Sequence, residues 1–310
     1  MTHKDLANDH EGSSPSHKSV LCEALTEWIR LPTDGRIVDG TVGHGGHSRL
    51  FGSMLGPEGM ILGLDVDPKS IERAQFNLSR LACKVILVRE NFARLPEAMK
   101  KNGLDQADLI FADLGFCSAQ LEDVSKGLSF GSDMPLDMRL DDRLKTTAAD
   151  LVNRLDVDAL ADLIYRYGED RASRRIARFI AQARQGQKIT STAQLAEIVR
   201  KALYRPGKRV LQRIDPATRT FQALRIAVNS ELENLEILLA NAPDLLKQGG
   251  YLAIISFHSL EDRLVKANFR KNKSDGIYEI LTKKPLEAGG EEKAANPRSR
   301  SAKLRIAKRL

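Results

Sequence analysis

The most restrictive feature of the sequence is the stretch RIVDGTVGHGGHSRLFGSMLGPEGMILGLDVD at residues 36–67. It predicts a short apolar strand, a glycine-rich turn, a helix, and a second apolar strand, residues 60–65, that ends in a carboxylate. Glycine allows the backbone to bend tightly and to approach a ligand where a Cβ atom would collide. This order of elements is typical of α/β proteins that hold a nucleotide-like cofactor.

The glycine spacing differs from the dinucleotide-binding pattern G-x-G-x-x-G. If Gly43 and Gly45 form its first pair, Ser48 stands where the third glycine belongs, and Asp39 already ends the first strand. A pyrophosphate prefers bare amides at a helix start, so a carboxylate beside the turn favours a cofactor with positive charge. S-adenosylmethionine fits better than NAD, because it carries a sulfonium, an amino group and a ribose whose hydroxyls Asp65 would bind. An NAD-dependent dehydrogenase and a glycine-rich hairpin without a ligand remain as alternatives.

Strand and helix signals alternate through the first 115 residues. Apolar runs predict strands at residues 84–89 and 109–115, and helices are predicted at residues 68–81 and 94–101. Such alternation predicts parallel strands with helices on both faces, and ligands then bind beyond the carboxyl ends of the strands. We therefore expect Asp113 to lie near the glycine turn.

The alternation stops between residues 120 and 216, where only helical patterns appear. The predicted helices are residues 147–155, 158–167, 172–184 and 192–204. We therefore predict a disordered leader at residues 1–16, an α/β domain formed by residues 17–119 and 216–310, and an inserted basic helical domain at residues 120–215.

The chain returns to the α/β domain through apolar residues spaced by three or four at 221–239, which predict one long amphipathic helix that Pro243 ends. A strand is predicted at residues 251–257, and Ser259 with Asp262 predicts a capping box for the next helix. Two further strands are expected to close the sheet as an edge pair, at residues 278–283 and 303–308.

Positive charge is concentrated in two segments. The net charge is +7, from 48 Lys or Arg against 41 Asp or Glu. Residues 165–219 hold 14 basic and 4 acidic side chains, and the last fourteen residues hold six basic and no acidic ones. Clustered cations favour a polyanion such as nucleic acid, because binding releases counterions. The alternative is a solvated helix face.

The remaining composition limits the environment of the protein. The longest apolar runs are of strand length, so no membrane span is predicted. The polar first 16 residues lack the apolar stretch of a secretion signal. Cys22, Cys83 and Cys117 are too few and too scattered for a disulfide framework or a zinc site, which favours a reducing cytoplasm.

Several segments together resemble the bacterial 16S rRNA (cytosine-N4)-methyltransferases of the MraW/RsmH type. They include HKSVLCEAL, DGTVGHGGHS, DVDP, NFARL, DLGFCSAQLED, PLDMRL, YGED, PATRTFQALRIAVNSEL, GGYLAIISFHSLEDRLVK and NPRSRSAKLR. The resemblance runs from residue 17 to the basic tail. It implies a class I S-adenosylmethionine-dependent methyltransferase (Rossmann-like) sheet with an inserted helical domain. It also implies methylation of a cytidine in the decoding region of 16S rRNA, within the small ribosomal subunit.

The resemblance also implies the positions of the cofactor contacts. These are Gly45, Gly46, His47, Asp65, Phe92, Asp113 and Gln120. Asp65 would bind the ribose hydroxyls, and Phe92 would pack against the adenine. Asp113 and Gln120 would border the amino-acid end or the transferring methyl.

Three residues are candidates for substrate binding. Arg139 and Arg219 would hold phosphates, or would pair with acids of the parent domain. His258 would meet the substrate, or would be a structural residue of the capping turn. No metal is expected, because His44 and His47 lack carboxylate partners.

The sequence departs from the usual family pattern in the loop after residue 113. Family members usually read DLGVSSPQ and GFSF, where this chain has Phe116, Cys117, Ala119 and Leu128. Asp215 also stands where histidine commonly precedes PATRTFQ. Asp113 and Gln120 are retained, so these differences concern the pocket for the target base.

The chemistry of N4 methylation requires alignment of the amine and an acceptor for its proton. Asp113 is the candidate acceptor, or is only a cofactor ligand. One alternative is a cytosine-C5 RNA methyltransferase with Cys117 as nucleophile. Another is a non-catalytic RNA-binding module of ribosome assembly.

Overall fold

A computed structural model describes residues 19–204 and 215–310. The leader predicted at residues 1–16 and part of the basic segment lie outside the described residues. The described chain contains one mixed eight-stranded sheet. Its strands are β1 Arg36–Asp39, β2 Met60–Asp65, β3 Lys84–Arg89, β4 Ala107–Asp113, β5 Leu246–Ser256, β6 Tyr278–Ile280, β7 Leu286–Glu287 and β8 Lys303–Arg309.

The strands lie in the order β3-β2-β1-β4-β5-β8-β6, and β7 pairs with β8. Strands β1 to β5 are parallel, whereas β8 is antiparallel to both β5 and β6. The edge pair predicted from the sequence is thereby confirmed. The chain proceeds from β1 to one edge of the sheet and then returns to β4 on the other side of β1. The carboxyl ends of β1 and β4 thus form a topological switch point, where open α/β sheets bind their ligands.

Some helices pack on the sheet, and others form a separate helical cluster. The helices are α1 Cys22–Trp28, α2 Gly46–Gly52, α3 Pro68–Leu78, α4 Leu95–Lys101, α5 Ser118–Glu122, α6 Ala148–Arg154, α7 Val157–Gly168, α8 Ser173–Gly186, α9 Thr192–Leu203, α10 Thr218–Asn229, α11 Glu231–Leu245, α12 Ser259–Ser274 and α13 Gly290–Ala295. Within the described ranges, no helix has the length and apolar character needed to cross a membrane.

Both faces of the sheet are buried. Successive residues of a strand point to opposite faces, so Ile37 of β1 packs in the core that contains Phe51 of α2. The next residue, Val38, packs in the core that contains Leu238 of α11 and Phe269 of α12. This two-sided burial explains why the central strands appear in the sequence as continuous apolar runs.

Helices α6 to α10 share a separate apolar core that includes Leu160, Ile176 and Leu195. Helix α10 contributes Phe221 and Leu224 to this core, although the sequence analysis assigned it to the α/β domain. The division into domains at residue 215 stays a prediction, and the packing shows that α10 joins the helical cluster to the sheet.

The single long helix predicted across residues 221–239 is wrong. The chain forms α10 and α11 instead, separated at Ser230, which has a left-handed backbone with φ 50°. The neighbouring Asn229 explains the break, since its side chain accepts from Leu140 N and donates to Met138 O, each at 2.8 Å. Those bonds fix the end of α10 to a distant loop.

The prediction that Pro243 ends the helix is also wrong, because Pro243 lies inside α11. A proline removes the hydrogen bond to the carbonyl four residues earlier, here that of Leu239. Asn268 of α12 donates to this carbonyl at 3.2 Å. The helix therefore continues without an unsatisfied acceptor.

The capping box of α12 is displaced by one residue from the prediction. His258 is the N-cap and Glu261 its reciprocal partner, instead of Ser259 and Asp262. Asp262 forms an ion pair with Arg305 of β8 at 2.6 Å. Strand β5 is also longer than predicted and begins at Leu246.

Candidate active site

A cavity of about 710 Å³ lies at the carboxyl ends of β1, β2 and β4. All seven residues that the sequence analysis predicts as cofactor contacts line it: Gly45, Gly46, His47, Asp65, Phe92, Asp113 and Gln120. The cavity therefore occupies the topological switch point, as expected for this class of sheet.

The glycine turn between β1 and α2 forms the floor of this cavity. Gly45 has φ +85°, and a Cβ atom added there would lie 2.9 Å from Cγ of Leu78. The turn is fixed from both sides, since Gly40 N donates to Phe111 O at 2.8 Å and Gly43 N donates to Asp65 Oδ2 at 2.9 Å. Both a left-handed backbone and a close approach thus require glycine at position 45.

Asp39 is buried below the turn and does not line the cavity. Its oxygens accept from Ser48 Oγ at 2.7 Å and from Thr41 N at 3.1 Å. Burial raises the pKa of Asp39 to about 6 although these hydrogen bonds oppose the shift. The carboxylate therefore stabilises the turn itself, a role that the sequence analysis did not predict.

Asp65 ends β2 at the edge of the cavity. Its Oδ1 accepts from Asp67 N at 2.9 Å, in addition to the bond from Gly43 to Oδ2. Burial raises its pKa to about 6. Each oxygen retains a second lone pair, so this carboxylate can still accept hydrogen bonds from a hydroxyl group.

Gln120 connects the loop after β4 to the end of β2. Its Nε2 donates to Asp67 Oδ2 at 3.1 Å, and its Oε1 accepts from Cys117 N at 3.0 Å. Lys126 lies 3.3 Å from the same Asp67 oxygen. The loop that departs from the family pattern is therefore attached to the cofactor side of the cavity.

Asp113 presents an unsatisfied oxygen in the cavity. Its Oδ2 lies 3.7 Å from His47 Nδ1, whereas its buried Oδ1 has no hydrogen-bond partner within residues 19–204 and 215–310. Burial raises the pKa of Asp113. Burial lowers the pKa of His47, but hydrogen bonding to Cys22 and the charge of Asp113 outweigh it and raise that pKa to about 9. A buried carboxylate oxygen without a partner is costly, so it marks a place for a cationic or hydrogen-donating group.

Opposite the cofactor side, Phe116, Glu231 and Arg298 line the cavity, and Arg225 contacts the first two. The Arg225 guanidinium lies 5.0 Å from the centre of the Phe116 ring and donates to Glu231 at 2.8 and 2.7 Å. Arg298 lies over the Phe116 and Phe257 rings at 6.0 and 5.6 Å. The sequence analysis did not assign Arg225, Phe257 and Arg298. Their sequence signal is their place in the segments PATRTFQALRIAVNSEL, GGYLAIISFHSLEDRLVK and NPRSRSAKLR, which carry the family resemblance.

A sequence model of the MraW methylase family matches residues 14–310. The chain belongs to the MraW methylase family. Two relatives are each named "Ribosomal RNA small subunit methyltransferase H". The one from Syntrophobacter fumaroxidans is 44% identical over 309 residues, covering 95% of this chain and 96% of the relative. The one from a Cyanothece species is 47% identical over 294 residues, covering 95% of each.

Two solved structures are similar in fold to this family member. An rRNA methylase from Streptococcus thermophilus has a TM-score of 0.44 at 10% identity and covers 93% of each chain. Aeropyrum pernix fibrillarin, crystallised with S-adenosyl-L-methionine, has a TM-score of 0.41 at 13% identity and covers 92% of this chain and 72% of fibrillarin.

Membership of the MraW family makes the chain an S-adenosylmethionine-dependent methyltransferase with a class I fold. The cavity fits this cofactor, because it combines a carboxylate able to accept from a diol, Asp65, with an unpaired buried carboxylate oxygen, that of Asp113. The predicted alternatives of an NAD-dependent dehydrogenase and a ligand-free hairpin are therefore rejected.

The three predicted substrate residues do not line this cavity. Arg139 donates to both oxygens of Asp137 at 2.8 and 2.7 Å and to Leu144 O at 2.7 Å, so it pairs with an acid of the predicted inserted segment and not with one of the parent domain. Arg219 lines a second cavity. His258 caps α12, directly beside Glu261 of the cavity wall. Binding roles for the three stay predictions.

Glu231, His258 and Glu261 approach one another within 4.8 Å, a spacing that suits a small cation. Both oxygens of Glu231, however, accept from Arg225. A guanidinium in contact with the carboxylate repels a metal ion from the same position. Arg225 therefore takes the electrostatic role that an ion would have there.

Proposed function

We propose that this enzyme transfers the methyl group of S-adenosylmethionine to N4 of a cytidine in the decoding region of 16S rRNA, in the cytoplasm. The names of the relatives support the RNA substrate. The observation that carries the chemical step is the buried Asp113 Oδ1, which has no hydrogen-bond partner among the described residues and borders the cofactor cavity. Substrate RNA within the small ribosomal subunit is part of this proposal.

The cofactor would be held along the rim formed by the parallel strands. Asp65 would accept hydrogen bonds from the ribose hydroxyls, and Phe92, beside the glycine turn, would pack against the adenine. Gly45 and Gly46 would allow close approach of the backbone. When bound, the cofactor supplies an electrophilic methyl group on a positively charged sulfur. The anionic Asp113 side of the cavity would favour that charge.

The protein has to overcome the low nucleophilicity of the target amine. The lone pair of N4 is delocalised into the cytosine ring, so the residues of the cavity must hold the amine in line with the methyl group. Asp113 Oδ1 would accept a hydrogen bond from the amine and take one of its protons as the N–C bond forms and the bond between the methyl group and the cofactor sulfur breaks. Burial, which raises the pKa of Asp113, makes this carboxylate a better proton acceptor.

The test is Asp113→Asn, assayed separately for cofactor binding and turnover. We expect turnover on small-subunit rRNA to fall roughly 10²- to 10⁴-fold, the usual contribution of a positioned base. Mass spectrometry of RNA nucleosides would measure N4-methylcytidine, and calorimetry would measure cofactor affinity. Asp105→Asn is the matched control, because Asp105 is exposed and away from the cavity. Unchanged binding together with unchanged turnover in Asp113→Asn would remove both roles of Asp113.

Cys117 gives a second candidate, because it lines the cavity on the loop after β4. A cytosine-C5 methyltransferase needs a thiolate to attack the ring. Cys117→Ser is expected to retain turnover within about twofold of the unchanged enzyme, since N4 transfer requires no covalent intermediate. Loss of activity together with 5-methylcytidine as the product of the unchanged protein would establish C5 chemistry instead.

Family membership argues against the alternative of an RNA-binding module without catalysis, and cofactor binding tests this directly. Saturating S-adenosylmethionine should stabilise an enzyme with a working site by about 2.7 kcal/mol at a hundredfold excess over Kd. Thermal unfolding with and without the cofactor measures this shift. Absence of a shift, with RNA binding intact, would favour the module.

A further inference from the structure

A second cavity of about 700 Å³ lies at the turn between α7 and α8, beside the start of α10. It is lined by Glu169, Asp170, Arg171, Ala172, Arg175 and Arg219. Arg171 and Arg219 are 48 positions apart in the sequence, yet they lie with Arg175 around one space. We name this cavity the arginine pocket.

The two acids of the arginine pocket are occupied by other partners. Asp170 Oδ1 accepts from Ala172 N at 2.8 Å. Glu169 accepts from Ser259 Oγ at 2.6 Å and from Arg263 Nη2 at 2.8 Å. Both carboxylates therefore stabilise the walls, and Glu169 shares its charge with Arg263 outside the pocket lining.

The arginines themselves have only weak partners. In the part of the chain that the structure describes, none of the three forms an ion pair with a carboxylate. Arg175 donates to Tyr204 O and Arg219 donates to Glu169 O, each at 3.4 Å. All three side chains are exposed. The three pocket arginines together with Arg263 exceed the two acids by two positive charges, so the cluster favours an external anion.

The backbone adds to this preference. Helices α8 and α10, of 14 and 12 residues, both begin at the arginine pocket; their N-cap side chains make no cap bond, and Asp170 and Asp215 accept from the N-cap amides of Ala172 and Ala217. The positive dipole ends of the two helices favour an anion at the same place as the guanidinium groups. Guanidinium groups bind phosphate oxygens in a bidentate geometry.

We infer that the arginine pocket binds a phosphodiester group of the RNA strand, a few nucleotides from the methylated base. This inference rests on the proposed function, for which it identifies an RNA contact outside the catalytic cavity. Helix α10 has Arg219 at its start and, six residues later, Arg225, which pairs with Glu231 of the catalytic cavity wall. At 1.5 Å per residue the two positions are separated by about 9 Å along the helix.

The arginine pocket is also fixed to the catalytic cavity by α12. Glu169 is bonded to Ser259 and Arg263 in the first turns of this helix, and Glu261 in the same turns lines the catalytic cavity. An added Cβ at Gly168 would lie 2.7 Å from Arg219 O, so α7 and α10 are in close backbone contact here. A phosphate held in the arginine pocket would therefore set the register of the strand on the enzyme.

The test uses the full chain with small ribosomal subunits from cells that lack this enzyme as the probe. The variants are Arg171→Gln, Arg175→Gln, Arg219→Gln and the triple variant, with Arg174→Gln as the matched control. Arg174 is an exposed arginine of the same helix that does not line the arginine pocket. We expect KM for RNA to rise roughly tenfold for each pocket arginine, with little change in kcat. The slope of log Kd against log salt should fall by about 0.7 to 0.9 for each RNA phosphate that the variant no longer binds.

Cofactor-induced thermal stabilisation should be unchanged in all variants, which verifies folding and an intact cofactor site. If the triple variant keeps the RNA affinity and salt slope of the unchanged enzyme, the arginine pocket does not bind RNA. An equal loss in Arg174→Gln would also overturn the inference, because it would reflect general positive charge. If the unchanged enzyme neither binds nor methylates the rRNA, the proposed function fails, which is a distinguishable result.

Discussion

The protonation of His258, the N-cap of α12, allows a quantitative test of the electrostatics beside the active site. The His258 side chain is 10% exposed, and its Nδ1 accepts from Glu261 N at 3.4 Å. Burial, assisted by the charge of Arg225, lowers the pKa of His258 to about 3. The folded protein therefore holds this imidazole neutral under conditions in which the unfolded chain protonates it.

The sign of the effect follows from proton linkage. A folded pKa below the unfolded value of about 6.5 means that the unfolded state binds more protons below that pH. Stability is therefore lost as pH falls from about 6.5 towards 3. At pH 5 the contribution of His258 to this loss is about 2 kcal/mol relative to pH 7.

Other titratable groups face His258 and must be separated from it. Burial raises the pKa of Glu261 to about 7, so this residue acts in the opposite sense and gains stability as the pH falls from 7 towards its unfolded value. Glu169 and Glu231 lie nearby, and both are paired with arginines. The unchanged protein and a variant that lacks only His258 share these carboxylates. The difference between their stabilities therefore isolates the contribution of the histidine.

The perturbation is His258→Asn, because asparagine is an effective N-cap and does not titrate in this range. Urea unfolding at pH 7 and pH 5 would give the free energy of unfolding of both proteins. We expect the difference in the free energy of unfolding between the two proteins to change by about 2 kcal/mol from pH 7 to pH 5, in favour of the variant. A shift below about 0.5 kcal/mol, or an NMR titration showing His258 protonated in the folded protein at pH 5, would refute this reasoning.

Two further substitutions test the turn and the buried ion pair. Gly45→Ala should cost about 1 to 3 kcal/mol and weaken cofactor binding, because the backbone is left-handed and the new Cβ would lie 2.9 Å from Leu78. Gly43→Ala, also left-handed but with its first contact in the described chain at 3.9 Å, should cost less, so equal costs in urea unfolding would contradict the steric argument. Glu231→Gln should destabilise the protein by about 3 to 5 kcal/mol because it leaves the largely buried Arg225 charge without its partner. A loss below about 1 kcal/mol would show that Arg225 finds another partner.

The strands and the cofactor side of the site are predictable because their causes are local. Strands β2 and β3 match their apolar runs to the residue. Strand β2 is buried on both faces and therefore appears as a continuous hydrophobic segment, and the edge strand β3 is partly buried along most of its length. The glycine turn and Asp65 follow from the same short unit of sequence. Asp113 follows from topology, because parallel strands end at one edge of the sheet.

The opposite wall depends on contacts that no local pattern reveals. Hydrophobic spacing continues across residues 221–239, so it indicates one helix, while Ser230 takes a left-handed conformation that is costly for a residue other than glycine. The break follows from Asn229, which holds backbone groups 89 and 91 residues away. Likewise, the carbonyl that Pro243 leaves free accepts a hydrogen bond from Asn268, which lies 25 residues further along the chain.

The break at Ser230 also explains how the helical cluster contributes to catalysis. Asn229, Ser230 and Glu231 all line the catalytic cavity, and the turn brings Glu231 back onto Arg225 of the preceding helix. In a continuous helix, residues six apart point in directions about 120° apart, and this bidentate pair would not form. Because the apolar face of α10 is buried in the helical core, the helical cluster fixes Arg225 over Phe116. The helical residues therefore shape the pocket opposite the cofactor as well as carrying positive charge.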